Sequence, residues 1–330
     1  MFEIDEMTLN YSAERTQWVE VAVAVLQKPD GTFLLAQRPK DKIWSGYWEF
    51  PGGKLEPGET PRHAITRELH EELGVELETA YPWITRTFTY SHATVKLHFF
   101  RVTKWRGEPY PHEGQQFAWQ MPSGVTVSPI LPANVPVLRA LELPAVYAIS
   151  NVRDLGEEMF MARLQAALKG GLRLMQLREK GLSREVLRAF ALHMLPLLRA
   201  HGAKLIVNAD VDLSLEVGAD GVQLTAAQLA QLSGRPDVGW CAASCHSAAE
   251  LRRAEALGCD FAVLSPVLPT LSHPGAQTLG WDKFSELARG CSIPVYALGG
   301  LTLSDMEVAW QRGAHGVALL RQAWPEGSPP

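Results

Sequence analysis

The chain has 330 residues, of which 46% are hydrophobic, and this length predicts two domains with separate cores, because one domain usually holds about 100 to 200 residues. A net charge of -5, from 31 basic and 36 acidic residues, provides no field that would attract polymeric nucleic acid or an anionic membrane. The sequence begins without a basic segment followed by an apolar one, and no apolar run reaches about 18 residues, so we expect a cytoplasmic protein.

The first predicted elements are strands. Residues 18–26 alternate and then run apolar, Asp30-Gly31 is a hairpin turn signal, and residues 32–36 are apolar again, which predicts an antiparallel opening pair. Further strands are predicted at 85–90, 95–102 and 117–121. Together with one helix between them, these strands predict a mixed sheet with a helix packed on it.

That helix is predicted over residues 60–74. Thr60 suits the N-cap, Pro61 suits the first helical position, and Gly74 suits the position just past the helix end. The apolar stripe expected to face the core consists of Ile65, Leu69 and Leu73.

Three carboxylates lie on the adjoining stripe of the same helix. Glu68, Glu71 and Glu72 are three and four residues apart, so their side chains should converge beside the core. A bound dication would offset their repulsion, and Mg²⁺ or Mn²⁺ prefers such oxygen ligands and also bridges phosphate oxygens. From the helix alone, an ordinary solvated face with Arg67 paired to a neighbour is the alternative.

A change of pattern near residue 143 predicts the domain boundary. The stretch before it is rich in proline and holds only a short helical run, at residues 136–143. From Val146 onward, eight short apolar strands alternate with amphipathic helices, which predicts a parallel (β/α)8 barrel over residues 144–330. The expected strands start near residues 146, 172, 204, 221, 239, 261, 294 and 316.

The four cysteines all lie in this second part. They form no CxxC pair, which predicts neither a disulfide framework nor a standard zinc site. Cys241, Cys245 and His246 would make part of a metal site, but a fourth ligand is not evident. We therefore favour buried thiols in a strand and a loop.

One long motif gives the carboxylate helix a function. The sequence has Gly53, five residues, Glu59, seven residues, and then RELxEExGV from Arg67 to Val75, which satisfies every fixed position of the Nudix box. Over about residues 18–142 the chain resembles the MutT branch of that family, the 8-oxo-dGTP diphosphatases, also through EFPGGKLEPGETP, KWRGEPYPHEGQ and LPANVPVL. The resemblance implies an α/β/α sandwich over residues 1–143.

The resemblance also implies the chemistry of this domain. Mg²⁺, with Mn²⁺ as the alternative, would activate water for attack at the β-phosphorus of a nucleoside triphosphate, which releases a nucleoside monophosphate and pyrophosphate. Glu68 or Glu113 would orient or deprotonate the water, and Glu72 is the other catalytic residue. The implied metal ligands are Gly52 (through its carbonyl), Glu68, Glu71, Glu72 and Glu113.

Substrate binding is implied at a second set of residues. Asn134 matches the asparagine that reads the purine edge, and an amide donates and accepts there at once. Arg38 matches a phosphate-contacting arginine, while Ala93 replaces a second pocket arginine of the family. Phe50 would wall the pocket, although core packing explains it equally well. The substrate set is Arg38, Glu49, Phe50, Pro51, Gly52 and Asn134.

The second domain resembles thiamine phosphate synthase and its thiazole tautomerase relatives over about residues 146–322. The motifs lie at strand ends, where a barrel carries its site, and they imply a phosphate or ligand site at Gln176, Arg178, Lys180, Asn208, Gly299 and Gly300. Two aspartates that hold Mg²⁺ in the synthase are replaced by Ala209 and Gln228. Charges at 178–180 would alternatively form an internal salt-bridge network beneath the site.

These features predict an enzyme that sanitises the nucleotide pool and so supports DNA repair and replication fidelity, joined to a degenerate barrel that binds a phosphorylated small molecule. Three alternatives stay open. The first domain would act on thiamine-related diphosphates, the barrel would be an active synthase in a bifunctional enzyme, or the barrel would be a sensor that modulates the first site.

Overall fold

A computed structural model of the chain describes residues 17–91, 93–112, 114–271, 275 and 277–324. Within these residues, the first part contains two sheets and two α-helices. Its strands are β1 (Gln17–Leu26), β2 (Phe33–Gln37), β3 (Trp48–Glu49), β4 (Gly52–Lys54), β5 (Glu76–Thr89), β6 (Ala93–Arg106) and β7 (Phe117–Gln120). The helices are α1 (Pro61–Leu73) and α2 (Val135–Leu141).

The two sheets of the first part have the strand orders β4-β1-β6-β5 and β3-β2-β7. Only the β1–β6 pair is parallel within them, so the four-stranded sheet is mixed, as expected. The predicted antiparallel pairing of β1 with β2 is wrong beyond a single bridge between Gln27 and Phe33. Because β4 and β6 occupy both edges of β1, β2 has no edge there and joins the second sheet.

Helix α1 follows its sequence signals closely. The Thr60 side chain accepts the His63 N–H, and Gly74 ends the helix with a φ of 64°. Ile65, Leu69 and Leu73 are fully buried, which confirms the predicted stripe. They pack on β1, β5 and β6. This packing fixes the rotation of α1 about its axis and therefore the direction in which the carboxylate stripe faces.

The second part is a closed barrel of eight parallel strands in sequential order. All eight predicted strands are present, and this confirms the (β/α)8 fold. The strands are β8 (Val146–Ile149), β9 (Leu174–Leu177), β10 (Lys204–Asn208), β11 (Gly221–Leu224), β12 (Trp240–Cys245), β13 (Phe261–Leu264), β14 (Val295–Leu298) and β15 (Gly316–Leu319). The helices are α3 (Val152–Leu155), α4 (Glu157–Lys169), α5 (Arg184–Ala200), α6 (Val211–Val217), α7 (Ala226–Gln231), α8 (Ala248–Leu257), α9 (Gly280–Ala288) and α10 (Met306–Gln311).

Helix length and hydropathy across the described residues give no candidate for a membrane-spanning helix. The four cysteines are buried free thiols, as expected. Burial raises the pKa of Cys245 to about 12, and His246 lies beside Glu250. The barrel cysteines therefore belong to its core.

The β5–β6 ribbon joins the two parts. The Thr85 N–H donates to the Cys291 carbonyl (2.9 Å), and the Arg86 guanidinium donates to the Ser292 carbonyl (2.8 Å). The Tyr81 hydroxyl donates to the Glu307 carboxylate at 2.7 Å. These partners lie just before β14 or on α10, so the ribbon covers the N-terminal face of the barrel.

A buried imidazole occupies the centre of this contact. Trp83 Nε1–H donates to His315 Nδ1 (3.2 Å), and His315 Nε2 donates to the Leu143 carbonyl (2.9 Å), so both ring nitrogens are satisfied in the neutral form. The Arg101 guanidinium donates to the His315 carbonyl, and the Tyr296 ring lies 5.0 Å from the imidazole. Burial and then the Arg101 charge lower the pKa of His315 to about 3.

This depressed pKa predicts a loss of stability in mild acid. Below about pH 6.5 the unfolded chain protonates this histidine while the folded chain does not, so the contribution present at neutral pH decreases as pH falls from about 6.5 toward 3. The free energy of unfolding should fall by about 1.4 kcal/mol per pH unit from this group. Urea unfolding at several pH values between 7 and 5 measures that slope.

The matched control is His315→Gln, which keeps a donor and an acceptor but does not titrate. The other titrating groups act equally in both proteins, so the variant should show the shallower slope. Equal slopes would mean that His315 is protonated in the folded protein and that its partners do not hold it neutral.

Candidate functional site

The loop between β3 and α1 passes unusually close to the sheet. Gly52 has a φ of 146°, and a Cβ added there would lie 2.1 Å from the Ala22 carbonyl oxygen. Gly52 also pairs with Val23 across β1 and β4. Only glycine permits this approach, and it brings the Gly52-Gly53 backbone beside the carboxylates of α1.

Two carboxylates of α1 reach this loop. The Glu72 carboxylate accepts the Gly52 N–H at 3.2 Å. The Glu68 carboxylate packs on Gly53 so closely that a Cβ there would lie 2.0 Å from it. The structure therefore brings Glu68, Glu72 and Gly52 together, as the sequence motif predicts, and the side chain missing from Gly53 provides the space for Glu68.

Arg67 links the remaining acidic residues of the motif. Its guanidinium donates to Glu68 (2.8 Å), to Glu71 (3.1 Å) and to Glu59 (3.0 Å), and its hydrogen bonds hold the pKa of Glu59 below the ordinary value. The pairing considered for Arg67 is therefore present. Glu71 is the most exposed of these carboxylates.

A divalent cation fits this donor set. Glu68, Glu71, Glu72 and the Gly52 carbonyl offer oxygen atoms only, which Mg²⁺ prefers, and the space at Gly53 lets the Glu68 carboxylate approach the loop. Within the residues that the structure describes, no three acidic, histidine or cysteine side chains are already gathered as a metal site. The Arg67 guanidinium binds Glu68 and Glu71, and the Gly52 N–H binds Glu72.

Glu113, the further ligand implied by the sequence, lies outside the described residues. Its described neighbours are bound to the end of α1. The His112 N–H (3.2 Å) and the Gln115 side-chain amide (3.4 Å) both donate to the Glu72 carbonyl. The residues on both sides of position 113 are thus hydrogen-bonded to Glu72, one of the expected metal ligands.

Arg38 and Glu49, two of the residues expected to bind substrate, form an ion pair. Arg38 also donates from Nε to the Ile43 carbonyl (2.8 Å), so its guanidinium ties the segment before β3 to Glu49. Burial raises the pKa of the Glu49 carboxyl above its ordinary value, and the Arg38 charge offsets part of that effect. The arginine expected at a phosphate therefore has two protein partners here.

Phe50 is a core residue in this structure. It is 3% exposed and its ring lies 5.7 Å from the Phe33 ring and 6.1 Å from the Phe99 ring. The adjacent Pro51 is buried as well. Core packing, the alternative weighed for Phe50, accounts for these contacts.

Asn134 differs from an ordinary helix cap. It precedes α2 and is only 3% exposed, yet its side chain makes no capping hydrogen bond. The second helical residue, Pro136, has no N–H to offer it. A buried amide that does not cap its own helix is suited to bind the edge of a ligand.

An aromatic group near these residues did not emerge from the sequence motifs. Trp44 has a φ of 63°, and its ring lies 5.0 Å from the Tyr47 ring and 5.8 Å from the Tyr90 ring. Burial and then the Glu49 charge raise the pKa of Tyr90. The only sequence signal was the run of aromatic residues in KIWSGYWEF. Ala93, at the expected arginine position, is buried and accepts the Tyr90 N–H.

The barrel has a cavity of about 700 Å³ at the C-terminal ends of its strands. All six second-domain residues that the sequence singled out line it: Gln176, Arg178, Lys180, Asn208, Gly299 and Gly300. Gly299 and Gly300 follow β14, the seventh barrel strand, and a Cβ on Gly300 would lie 2.3 Å from the Pro269 carbonyl oxygen. The turn therefore requires glycine at this point.

The floor of the cavity is a chain of neutral hydrogen bonds. Gln176 donates to the Tyr147 hydroxyl (3.0 Å), which donates to Gln223 (3.2 Å), and Gln223 donates to Ser244 (3.1 Å). Burial raises the pKa of Tyr147 above its ordinary value. The floor offers amides and hydroxyls without a formal charge.

Glu179 does not join its neighbours in the cavity. Its carboxylate accepts the Val152 N–H at 2.8 Å and the Arg153 N–H at 3.3 Å, which ties it to the first turn of α3. Arg178 and Lys180, on either side of it, line the cavity. Among the described ion pairs, none joins Arg178, Glu179 and Lys180 into the salt-bridge network considered from the sequence, because Glu179 accepts backbone N–H groups while the two cations line the cavity.

Comparison with known proteins finds two families. The family model described as NUDIX domain matches residues 22–140, and the model described as thiamine monophosphate synthase matches residues 146–323. A putative thiamine-phosphate synthase of Aquifex aeolicus is 38% identical over 54% of this chain and 96% of its own length.

Two Escherichia coli proteins are similar to the first part. A CTP pyrophosphohydrolase is 38% identical over 37% of this chain and 90% of its own length. An 8-oxo-dGTP diphosphatase is 32% identical over 38% of this chain and 96% of its own length.

Proposed function

Because the chain belongs to the Nudix hydrolases through residues 22–140 and to the thiamine monophosphate synthase family through residues 146–323, we propose a function for each part. The first part, residues 1–143, is a Mg²⁺-dependent pyrophosphohydrolase that converts 8-oxo-dGTP to 8-oxo-dGMP and pyrophosphate. The meeting of Glu68 and Glu72 at the Gly52-Gly53 loop carries this proposal. Residues 144–330 form the phosphate-binding barrel.

The residues of the first site have two roles in hydrolysis, metal binding and proton transfer. Glu68, Glu71, Glu72, Glu113 and the Gly52 carbonyl would hold Mg²⁺, which lowers the pKa of water and neutralises phosphate charge. Glu68 or Glu113 takes the proton from the attacking water. The Gly52 N–H, which donates to Glu72, holds that carboxylate at the loop.

Asn134 supplies the choice of base in this proposal. Its amide is buried and does not cap α2, so it is available to donate to and accept from a purine edge. The similarity to an 8-oxo-dGTP diphosphatase supports the same base, while the CTP pyrophosphohydrolase provides the competing substrate. A panel of 8-oxo-dGTP, dGTP and CTP with Mg²⁺ tests the proposal. Equal kcat/KM for 8-oxo-dGTP and dGTP, or a higher value for CTP, would overturn it.

Asn134→Ala should reduce discrimination between bases more than catalysis. Loss of a two-sided hydrogen bond costs about 1 to 3 kcal/mol, so kcat/KM for 8-oxo-dGTP should fall about 10- to 100-fold, chiefly through KM. Hydrolysis of dCTP, which lacks that purine edge, should change by less. A similar loss for both nucleotides would assign Asn134 to the structure of the loop.

For the barrel, we propose a binding module for a phosphorylated small molecule. The cavity with Arg178, Lys180 and the Gly299-Gly300 turn supports this role, because loops after the seventh and eighth strands commonly hold phosphate in such barrels. A bifunctional enzyme with an active synthase is the alternative. Formation of thiamine phosphate by the full-length chain would favour that alternative.

A second candidate for the first site is hydrolysis of thiamine-related diphosphates. It is supported because the first domain is fused to a domain of the thiamine monophosphate synthase family. Adding thiamine diphosphate to the nucleotide panel separates the two. Turnover of 8-oxo-dGTP without turnover of thiamine diphosphate would eliminate this candidate.

A further inference from the structure

The barrel positions expected to hold a metal are joined by a neutral hydrogen bond. Gln228 Nε2 donates to the Ala209 carbonyl at 2.6 Å. The other end of the same amide, Oε1, accepts from the N–H and the hydroxyl of Thr225, at 3.1 Å each. Both ends of Gln228 are therefore used inside the protein, and the amide spans the gap between the strand ends of β10 and β11.

The nearest acidic alternative is also occupied. Asp210 caps α6 by accepting the Leu213 N–H at 2.7 Å, and it pairs with Arg184 at 3.1 Å. The described residues that line the cavity include no aspartate or glutamate. Because Mg²⁺ is bound through carboxylates in proteins, the residues of this cavity do not fit the divalent cation that the synthase resemblance implies.

The charge of the cavity wall fits an anion instead. Arg178 is half-buried at the rim, Lys180 is exposed beside it, and the Gly299-Gly300 turn lies on the wall as well. Burial lowers the pKa of Arg178, so it is a partly desolvated cation without a carboxylate on the cavity wall. An anion in this place would regain part of that lost solvation.

Two cations on a cavity wall without carboxylates favour one class of ligand. Arg321 also lines the cavity, but it is already paired with Asp154 at 3.1 Å. A diphosphate carries more charge than Arg178 and Lys180 offset, and it commonly needs a divalent ion. A phosphomonoester matches Arg178 and Lys180 in charge, and its organic part would meet the amides and hydroxyls of the floor. We propose that the barrel binds a phosphomonoester without any divalent cation, with the Gln228–Ala209 hydrogen bond in the place of the metal.

This proposal rests on the proposed binding role of the barrel and is independent of the hydrolase assignment. The test is calorimetry of the full-length chain in the Glu72→Gln background, which weakens metal binding at the first site. The probes are thiamine monophosphate and thiamine, which differ only in the phosphate. Each titration is done in EDTA and in excess Mg²⁺.

Thiamine monophosphate should bind with the same Kd in both buffers, within about twofold, and thiamine should bind at least about 10-fold more weakly. Lys180→Ala should weaken the monophosphate about 10-fold and leave thiamine unchanged. Binding that requires Mg²⁺, no binding of the monophosphate, or equal binding of both probes would each overturn the proposal.

The reverse substitution provides the matched control. Ala209→Asp with Gln228→Asp removes the amide link and adds two carboxylates at the cavity. This double variant should gain binding of inorganic pyrophosphate that depends on Mg²⁺, while the parent should show none. Mg²⁺-dependent pyrophosphate binding by the parent that Lys180→Ala removes would place a metal in the cavity and contradict the proposal. Hydrolysis by the otherwise unchanged chain, assayed separately, reports only on the first site.

Discussion

Glu72→Gln should lower kcat for nucleotide hydrolysis by at least about 10²- to 10³-fold, the range found when one electrostatic contributor to a transition state is removed. The amide is similar in size and still accepts the Gly52 N–H, so the loop should keep its place. It lacks the negative charge that would hold Mg²⁺. Initial rates over a range of Mg²⁺ concentrations, together with thermal unfolding, measure the two effects separately.

Glu142→Gln is the matched control for this substitution. Glu142 is exposed just after α2, so the same chemical change should leave the rate within about twofold. A Glu72→Gln protein that is unfolded at room temperature would identify Glu72 as a structural residue. A folded protein with full activity would remove it from the site.

Gly53→Ala should inactivate the enzyme while sparing its fold. The added Cβ would lie 2.0 Å from the Glu68 carboxylate, which is the flexible end of a side chain and can move aside. That movement displaces a proposed metal ligand and catalytic base, and displacement of a catalytic group by about 1 Å can cost about 10²-fold in rate. The midpoint of thermal unfolding should change little.

Gly52→Ala, one residue earlier, should destabilise the fold as well. Its Cβ would lie 2.1 Å from a backbone oxygen of β1, which cannot move without disturbing the sheet, and its φ of 146° disfavours any side chain. We expect a loss of about 3 kcal/mol or more. Gly124→Ala, where a Cβ would meet nothing within 4 Å, serves as the control. Similar stability losses at Gly52 and Gly53 would contradict this account of the loop.

Local signals determined how well each element could be predicted. Helix α1 has a capping threonine, a proline at its start and a glycine at its end, so its bounds followed from the sequence. Strand β5 was predicted to begin at residue 85 but begins at Glu76. Pro82 lies at an irregularity of its pairing with β6, and proline opposes a strand assignment.

Contacts distant in sequence could not be predicted in this way. Trp83 and His315 are 232 positions apart, and no local pattern indicates that a tryptophan N–H will bind that imidazole. The same holds for Gln228 and Ala209. The sequence identifies both as departures from the synthase pattern, but only the structure shows that the Gln228 side-chain amide donates to the Ala209 carbonyl.

The β5–β6 ribbon lies between the proposed hydrolase site and the barrel. Ala80 and Val102 of the ribbon pack toward α1, whereas Tyr81 and Arg101 contact the barrel, so the ribbon separates the Nudix helix from the barrel. The barrel cavity opens on the face opposite this contact. A molecule released at the hydrolase site would therefore reach the barrel cavity through bulk water, and the fusion provides equal numbers of the hydrolase site and the barrel binding site.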